Sequence, residues 1–187
     1  MIRFEFRTLL FALVAATAGA AAAASELSPP TPGNGPYLDD TSGPDAVDGL
    51  GTNRYLRIAG SSFVARHATT DSIFATAGCI RSSDTGAIFT ADVQLPNGAV
   101  VNYVRTYYYN DGVSANIATH FTDFDGAGDS TEHTSFTTNT STGYASTLSP
   151  QIAVTITPMT HSYSMVVVIN STSTNLRFCG VRIQYTP

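Results

Sequence analysis

The chain predicts an all-β protein: a two-layer antiparallel sandwich, of the jelly-roll or immunoglobulin-like kind, with about seven to nine strands. From Tyr55 onward, short runs rich in Val, Ile, Thr, Phe and Tyr are separated by clusters of Gly, Asn, Asp and Ser, the punctuation of strands and turns. Ala87, Phe89, Ala91, Val93 and Leu95 alternate with Thr90, Asp92 and Gln94, so that segment has one apolar face and one polar face. After the first two dozen residues no segment repeats its apolar positions at a helical period.

Taken in order, the chain opens with Arg3 and Arg7 before an apolar run over residues 9–14, which passes into Ala15, Ala16 and the alanines of 20–24. This is the order of a secretory signal peptide. The run is shorter than the about 20 residues of a membrane-spanning helix, so residues 1–24 are expected to be cleaved near Ala24/Ser25, leaving a secreted or periplasmic product with no membrane insertion. Export provides an oxidising compartment in which the only two cysteines, Cys79 and Cys179, are expected to pair. Residues 25–53 carry Pro29, Pro30, Pro32, Pro36 and Pro44 among glycines and few apolar residues, and read as a flexible linker. Its acids, Asp39, Asp40, Asp45 and Asp48, lack the regular spacing of a calcium loop. Residues 54–187 remain as a single β-sandwich domain.

Within that domain strands are expected over 73–80, 87–95, 99–109, 116–124, 152–157, 163–170 and 176–185. Pro96-Asn97-Gly98 supplies the positive φ angles of a tight turn, which predicts a hairpin joining 87–95 to 99–109. In the last strand Leu176 and Phe178 are out of phase with Val181, Ile183 and Tyr185 by one residue. A β-bulge at Cys179-Gly180 would put both sets on the same side. An outer-membrane barrel is disfavoured by the Ser, Thr and Asn on both strand faces, the lack of aromatic girdles and the pairing of distant cysteines.

The stretches Leu95-Pro96-Asn97-Gly98-Ala99, Tyr107-Tyr108-Tyr109 and Cys179-Gly180-Val181-Arg182-Ile183 form a pattern that resembles a group of exported bacterial β-sandwich proteins. The resemblance covers the chain from about Gly60 to the end. It implies a single exported domain, and it carries neither an activity nor a ligand nor a catalytic residue.

Charge bounds the partners. The nine basic residues are all arginine and stand against 14 acids, a formal net charge of −5. Arginines scattered along an acidic chain leave no footprint for nucleic acid or anionic lipid. Tyr103, Tyr107 and Tyr109 share one strand face with Arg105, while Tyr108 lies opposite. Such a row could stack on sugar rings, and core packing is the competing reading. The acids Asp123, Asp125, Asp129 and Glu132 cluster between His120 and His133 around Gly126 and Gly128. Oxygen-rich loops with glycine turns suit calcium, yet with Asp123 at position one the twelfth residue is Thr134 rather than Glu, so a solvated turn competes with a metal site. Gly128-Asp129-Ser130 matches the start of a hydrolase nucleophile motif, but no Asp follows Asp129 to complete a triad in that order. Ser and Thr dominate residues 130–149, which suits exposed strands or loops.

These features predict an exported non-enzymatic sandwich with a structural, surface or ligand-binding role. The alternatives are a carbohydrate-binding module that uses the tyrosine-bearing strand and, further off, a secreted hydrolase. No catalytic residue or organic cofactor is assigned; calcium is the metal the acidic cluster suits best, with His120 or His133 beside the carboxylates suiting a transition metal instead, and the partner expected is a neutral polysaccharide or a cell-surface component.

Overall fold

The computed structural model describes residues 53–70 and 72–187. The signal peptide at 1–24 and all of the linker except Asn53 lie outside the described residues. Among the described residues the strands are β1 (Arg54–Ala59), β2 (Val64–Ala65), β3 (Ser72–Phe74), β4 (Ile80–Ser82), β5 (Ala87–Val93), β6 (Val100–Asn110), β7 (Ile117–Phe124), β8 (Ser130–Thr137), β9 (Gly143–Leu148), β10 (Val154–Thr155), β11 (Ser162–Ile169) and β12 (Leu176–Thr186). They form two antiparallel sheets, a two-layer sandwich. The seven-stranded sheet runs β10-β6-β12-β4-β3, with β1 also on β12 and β9 also on β6; the five-stranded sheet runs β2-β5-β11-β7-β8.

The core lies between the sheets, and the period of two explains which side chains reach it. Phe89, Phe121, Met165, Val167 and Ile169 come from one sheet; Val104, Tyr108, Leu176, Phe178 and Ile183 come from the other. Thr106 Oγ1 donates to Thr119 Oγ1 across the layers at 2.8 Å, so the one polar pair facing inward there satisfies itself. Fully burying a large apolar side chain stabilises by about 1.5–3 kcal/mol, and this inner face is where the fold gains most.

The bulge forms as expected. The register of β12 against β6 shifts between Phe178 and Gly180, and Leu176, Phe178, Val181 and Ile183 are all buried in the core. Gly180 has φ +131°, and a Cβ there would lie 2.4 Å from the Ile58 carbonyl oxygen, so only glycine fits. Cys79 and Cys179 are disulfide-bonded, beside the Phe178–Ile80 pairing of β12 with β4.

Four expectations are corrected. Asn97-Gly98 does not make a hairpin: β5 pairs with β2 and β11, whereas β6 pairs with β12, β9 and β10 in the other sheet. Gly98 keeps its positive φ of +86°, but the turn carries the chain from one layer to the other, with the Gly98 N–H donating to Ile156 O at 2.9 Å. The strand expected over 73–80 folds back on itself as β3 and β4, around a turn in which Ala77 has φ +61°. The strand over 152–157 shrinks to β10, since Ala153 at φ +54° interrupts the extended backbone. The count rises to twelve among the described residues because the Ser/Thr tract holds two edge strands, β8 and β9, and β1 and β2 add two more.

Candidate functional site

The outer face of the seven-stranded sheet collects the tyrosines and arginines. Leu56 and Ile58 of β1, Val104 and Tyr108 of β6, and Val181 and Ile183 of β12 turn inward. Alternation therefore sends Tyr55 and Arg57, Tyr103, Arg105, Tyr107 and Tyr109, and Arg182 and Gln184 outward. Register then aligns them: Arg57 pairs with Arg182 and Arg182 with Arg105, giving three arginines side by side on adjacent strands. Tyr55 pairs with Gln184 and Gln184 with Tyr103 in the next row.

Aromatic and cationic groups interleave on this face. The Arg57 guanidinium lies 5.6 Å from the Tyr107 ring centre, that of Arg182 5.0 Å from Tyr55, and that of Arg177 4.8 Å from Tyr109. Tyr109 meets Tyr144 of β9 at 4.9 Å between ring centres. Arg105 Nη1 donates to Ser146 Oγ at 3.2 Å. Arg–aromatic stacking of this kind is worth roughly 0.5–1 kcal/mol at exposed sites and more where water is excluded.

Exposure separates the members. Tyr55 is 37% exposed and Arg57 is exposed, whereas Tyr107 is 6% exposed, with Arg57 above its ring. Tyr103 and Tyr109 are half-buried, and Arg105 and Arg182 are buried at 8% and 7% exposure. Tyr108, on the opposite side of β6, belongs to the core, and its hydroxyl donates to Asn139 Oδ1. A cavity of 290 Å³ opens where β1 meets the bulge, lined by Arg57, Tyr107 and Gly180 among others. Sequence reasoning missed Tyr55, Arg57, Arg182 and Gln184. The signal was there in the alternation of Tyr55 and Arg57 with Leu56 and Ile58, and of Arg182 with Val181 and Ile183.

The acidic cluster is a hairpin tip, as its composition suggested, joining β7 to β8. Three of its four acids have separate partners. Asp123 turns inward, its Oδ2 2.9 Å from His133 Nε2, and its Oδ1 accepts from the Thr131 N–H at 3.2 Å. Glu132 pairs outside with His120 at 2.7 Å. Asp125 Oδ1 accepts from the N–H groups of Ala127 and Asp129 at 2.8 and 3.1 Å, and these bonds, that of Ala127 first, hold its carboxyl below the usual aspartate value. Among the described residues no three His, Cys, Asp or Glu side chains come together as a metal would require. Ser130 begins β8 and is followed by strand, not by the helix that a nucleophile turn needs. A second cavity, of 180 Å³, lies between Asp92, Leu95, His161 and Tyr163 at one end of the sandwich.

No protein-family model matches the chain, and no curated protein is significantly similar to it in sequence. Among solved structures it is similar to the C-terminal CBM6 of LamC, a marine laminarinase from Zobellia galactanivorans, at 14% identity and a TM-score of 0.47, covering 70% of this chain and 98% of that one. It is similar to the carbohydrate-binding module CBM6cm-2 from Cellvibrio mixtus lichenase 5A in complex with cellotriose, at 12% identity and a TM-score of 0.45, over 68% and 95% of the two chains. A carbohydrate-binding module CBM36 in complex with calcium and xylotriose is similar at 9% identity and a TM-score of 0.43, over 70% and 98%. Among the described residues no helix is long and apolar enough to cross a membrane.

Proposed function

We propose that the chain is an exported, non-enzymatic sandwich that binds polysaccharide through the outer face of its seven-stranded sheet. The observation that carries this reading is the gathering of Tyr55, Tyr103, Tyr107, Tyr109 and Tyr144 from three strands onto one face. Tyrosine rings pack against the C–H faces of sugars, and the interleaved Arg, Gln and Ser side chains offer hydrogen bonds to hydroxyl groups. A sheet face is long and shallow, which suits a polymer rather than a small molecule needing enclosure. Export rests on the charged, apolar and alanine-rich order of residues 1–24.

Affinity electrophoresis of the mature chain through gels holding soluble β-glucan, xylan or mannan tests the reading. Retarded migration in at least one gel is the expected result, with retardation reduced by Tyr55→Ala. Unretarded migration in every polysaccharide gel would leave a structural role without a glycan ligand as the better description.

A further inference from the structure

The 180 Å³ cavity lies where β5 runs out and β11 begins, and none of the residues of the tyrosine-bearing face lines it. Three side chains at its rim, Asp92, Gln94 and Ser162, are exposed and make no hydrogen bond or ion pair. His161 joins them with one ring nitrogen committed: its Nδ1 lies 2.8 Å from Thr160 Oγ1, and its Nε2 has no partner. Leu95, Ile156 and Pro158 give the cavity apolar walls.

The loop from β10 to β11, which forms one wall, is fixed from within. The Thr157 N–H donates to Tyr163 Oη and the His161 N–H to Thr157 O, both at 3.0 Å. The Gly98 N–H, on Ile156 O at 2.9 Å, ties the passage from β5 to β6 to the same loop. A site already held in shape loses little freedom when a ligand enters. Register also brings an aromatic ring to the rim: Ser162 of β11 pairs with Phe124 of β7, and Phe124 is 37% exposed on the outer face of the five-stranded sheet. Unlike Tyr107, whose ring lies under Arg57, the Phe124 ring meets no other ring or cation. Directly opposed side chains on antiparallel strands lie about 4.5–5.5 Å apart at Cβ, so a ligand touching Ser162 reaches that ring.

We propose that this end cavity is a second glycan site, which takes one neutral sugar residue, the terminal unit of a chain. Its volume lies below the about 300–1,000 Å³ of sites that enclose drug-sized ligands, which suits a single ring. The rim suits hydroxyl groups: the Asp92 carboxylate accepts from two neighbouring hydroxyls, Gln94 and Ser162 both donate and accept, and His161 Nε2 does one or the other according to its tautomer. The C–H face of the sugar lies on Phe124. The strands of the five-stranded sheet hold no arginine, and Asp92 repels anions, so an acidic sugar is disfavoured. The site goes beyond the tyrosine-bearing face and does not depend on it.

The test is titration of the isotope-labelled mature chain with the methyl glycosides of glucose, galactose, mannose and xylose, followed through its assigned backbone amide resonances. At least one glycoside is expected to give saturable shifts confined to residues 92–95, 124 and 157–163, with methyl glucuronide giving none. Asp92→Ala and Phe124→Ala are each expected to weaken that response about tenfold or more, at a melting temperature within a few degrees of the parent. Shifts elsewhere only, or none with any glycoside, overturn the proposal, as does an equal response to the glucuronide or a response that both variants leave intact. A silent cavity in a chain that polysaccharide gels retard overturns this site and leaves the tyrosine-bearing face standing. A responding cavity in a chain that no gel retards keeps this site and overturns that face.

Discussion

Tyr108 and Tyr109 are adjacent in the chain and do opposite work, because one strand position turns a side chain from core to solvent face. Tyr108 is fully buried, and burial pushes its phenol above the ordinary value of 10.0. The sign follows directly: its neutral form favours the fold in full below pH 10.0, and that contribution is lost as pH rises toward the elevated folded value. The melting temperature should therefore fall above about pH 10 in the parent and fall less steeply in Tyr108→Phe, measured by circular dichroism across the alkaline range. Tyr108→Ala should cost about 3–5 kcal/mol in denaturant unfolding, the range for emptying a large buried aromatic position. Tyr109→Ala removes a half-buried ring facing Arg177 and Tyr144, and should leave melting within a few degrees of the parent while weakening polysaccharide retention.

In the β7–β8 hairpin the composition of the segment located an element, and register divides its acids between the two faces of the sheet. Its acids stand close in sequence, yet alternation sends Asp123 inward to His133 and Glu132 outward to His120, leaving Asp125 to cap the turn. A calcium ion bound through Asp123 and Glu132 would have to displace their histidine partners, so we expect an unchanged melting curve at millimolar calcium; a concentration-dependent rise would contradict this. Because the Asp125 carboxyl is held below its ordinary value of 3.8, its contribution is present above that pH and lost as pH falls below it, and Asp125→Ala should flatten the acid limb of the stability profile. The disulfide acts on a longer scale, closing a separation of 100 positions. Replacing both cysteines by serine should lower stability by about 2 to 4.7 kcal/mol in urea unfolding, the upper figure being the chain-entropy limit. The strands expected over 87–95, 116–124, 163–170 and 176–185 form as β5, β7, β11 and β12, including the bulge in β12. Edge strands β8 and β9 were not legible in the sequence, since an edge facing water needs only Thr and Ser. Asn97-Gly98 was read as a hairpin because the same positive-φ turn serves a pairing and a passage between layers, and only the partners of β5 and β6 decide which.

Taken together, the molecule is a sandwich whose core was readable and whose charged face was not. Arg57, Arg105 and Arg182 are far apart in the chain, and nothing in local sequence announces that β12 will lie between β1 and β6 and bring them into one row. Tyr103, Arg105, Tyr107 and Tyr109 were recognisable as a face because they share a single strand; the rest of that face depends on long-range register. Tyr107 proves to lie beneath Arg57 rather than open to solvent, so the binding energy is expected to come from Tyr55 and Tyr109 at its two flanks. The most direct test is calorimetric titration of the mature chain and of the Tyr55→Ala/Tyr109→Ala double variant with the polysaccharide that retards the parent most, with melting temperature measured on both. Loss of about tenfold or more in affinity, at a melting temperature within a few degrees of the parent, is the result expected if the outer face of the seven-stranded sheet is the binding surface. Affinity unchanged within about twofold in a variant that remains folded would place the ligand elsewhere and contradict it.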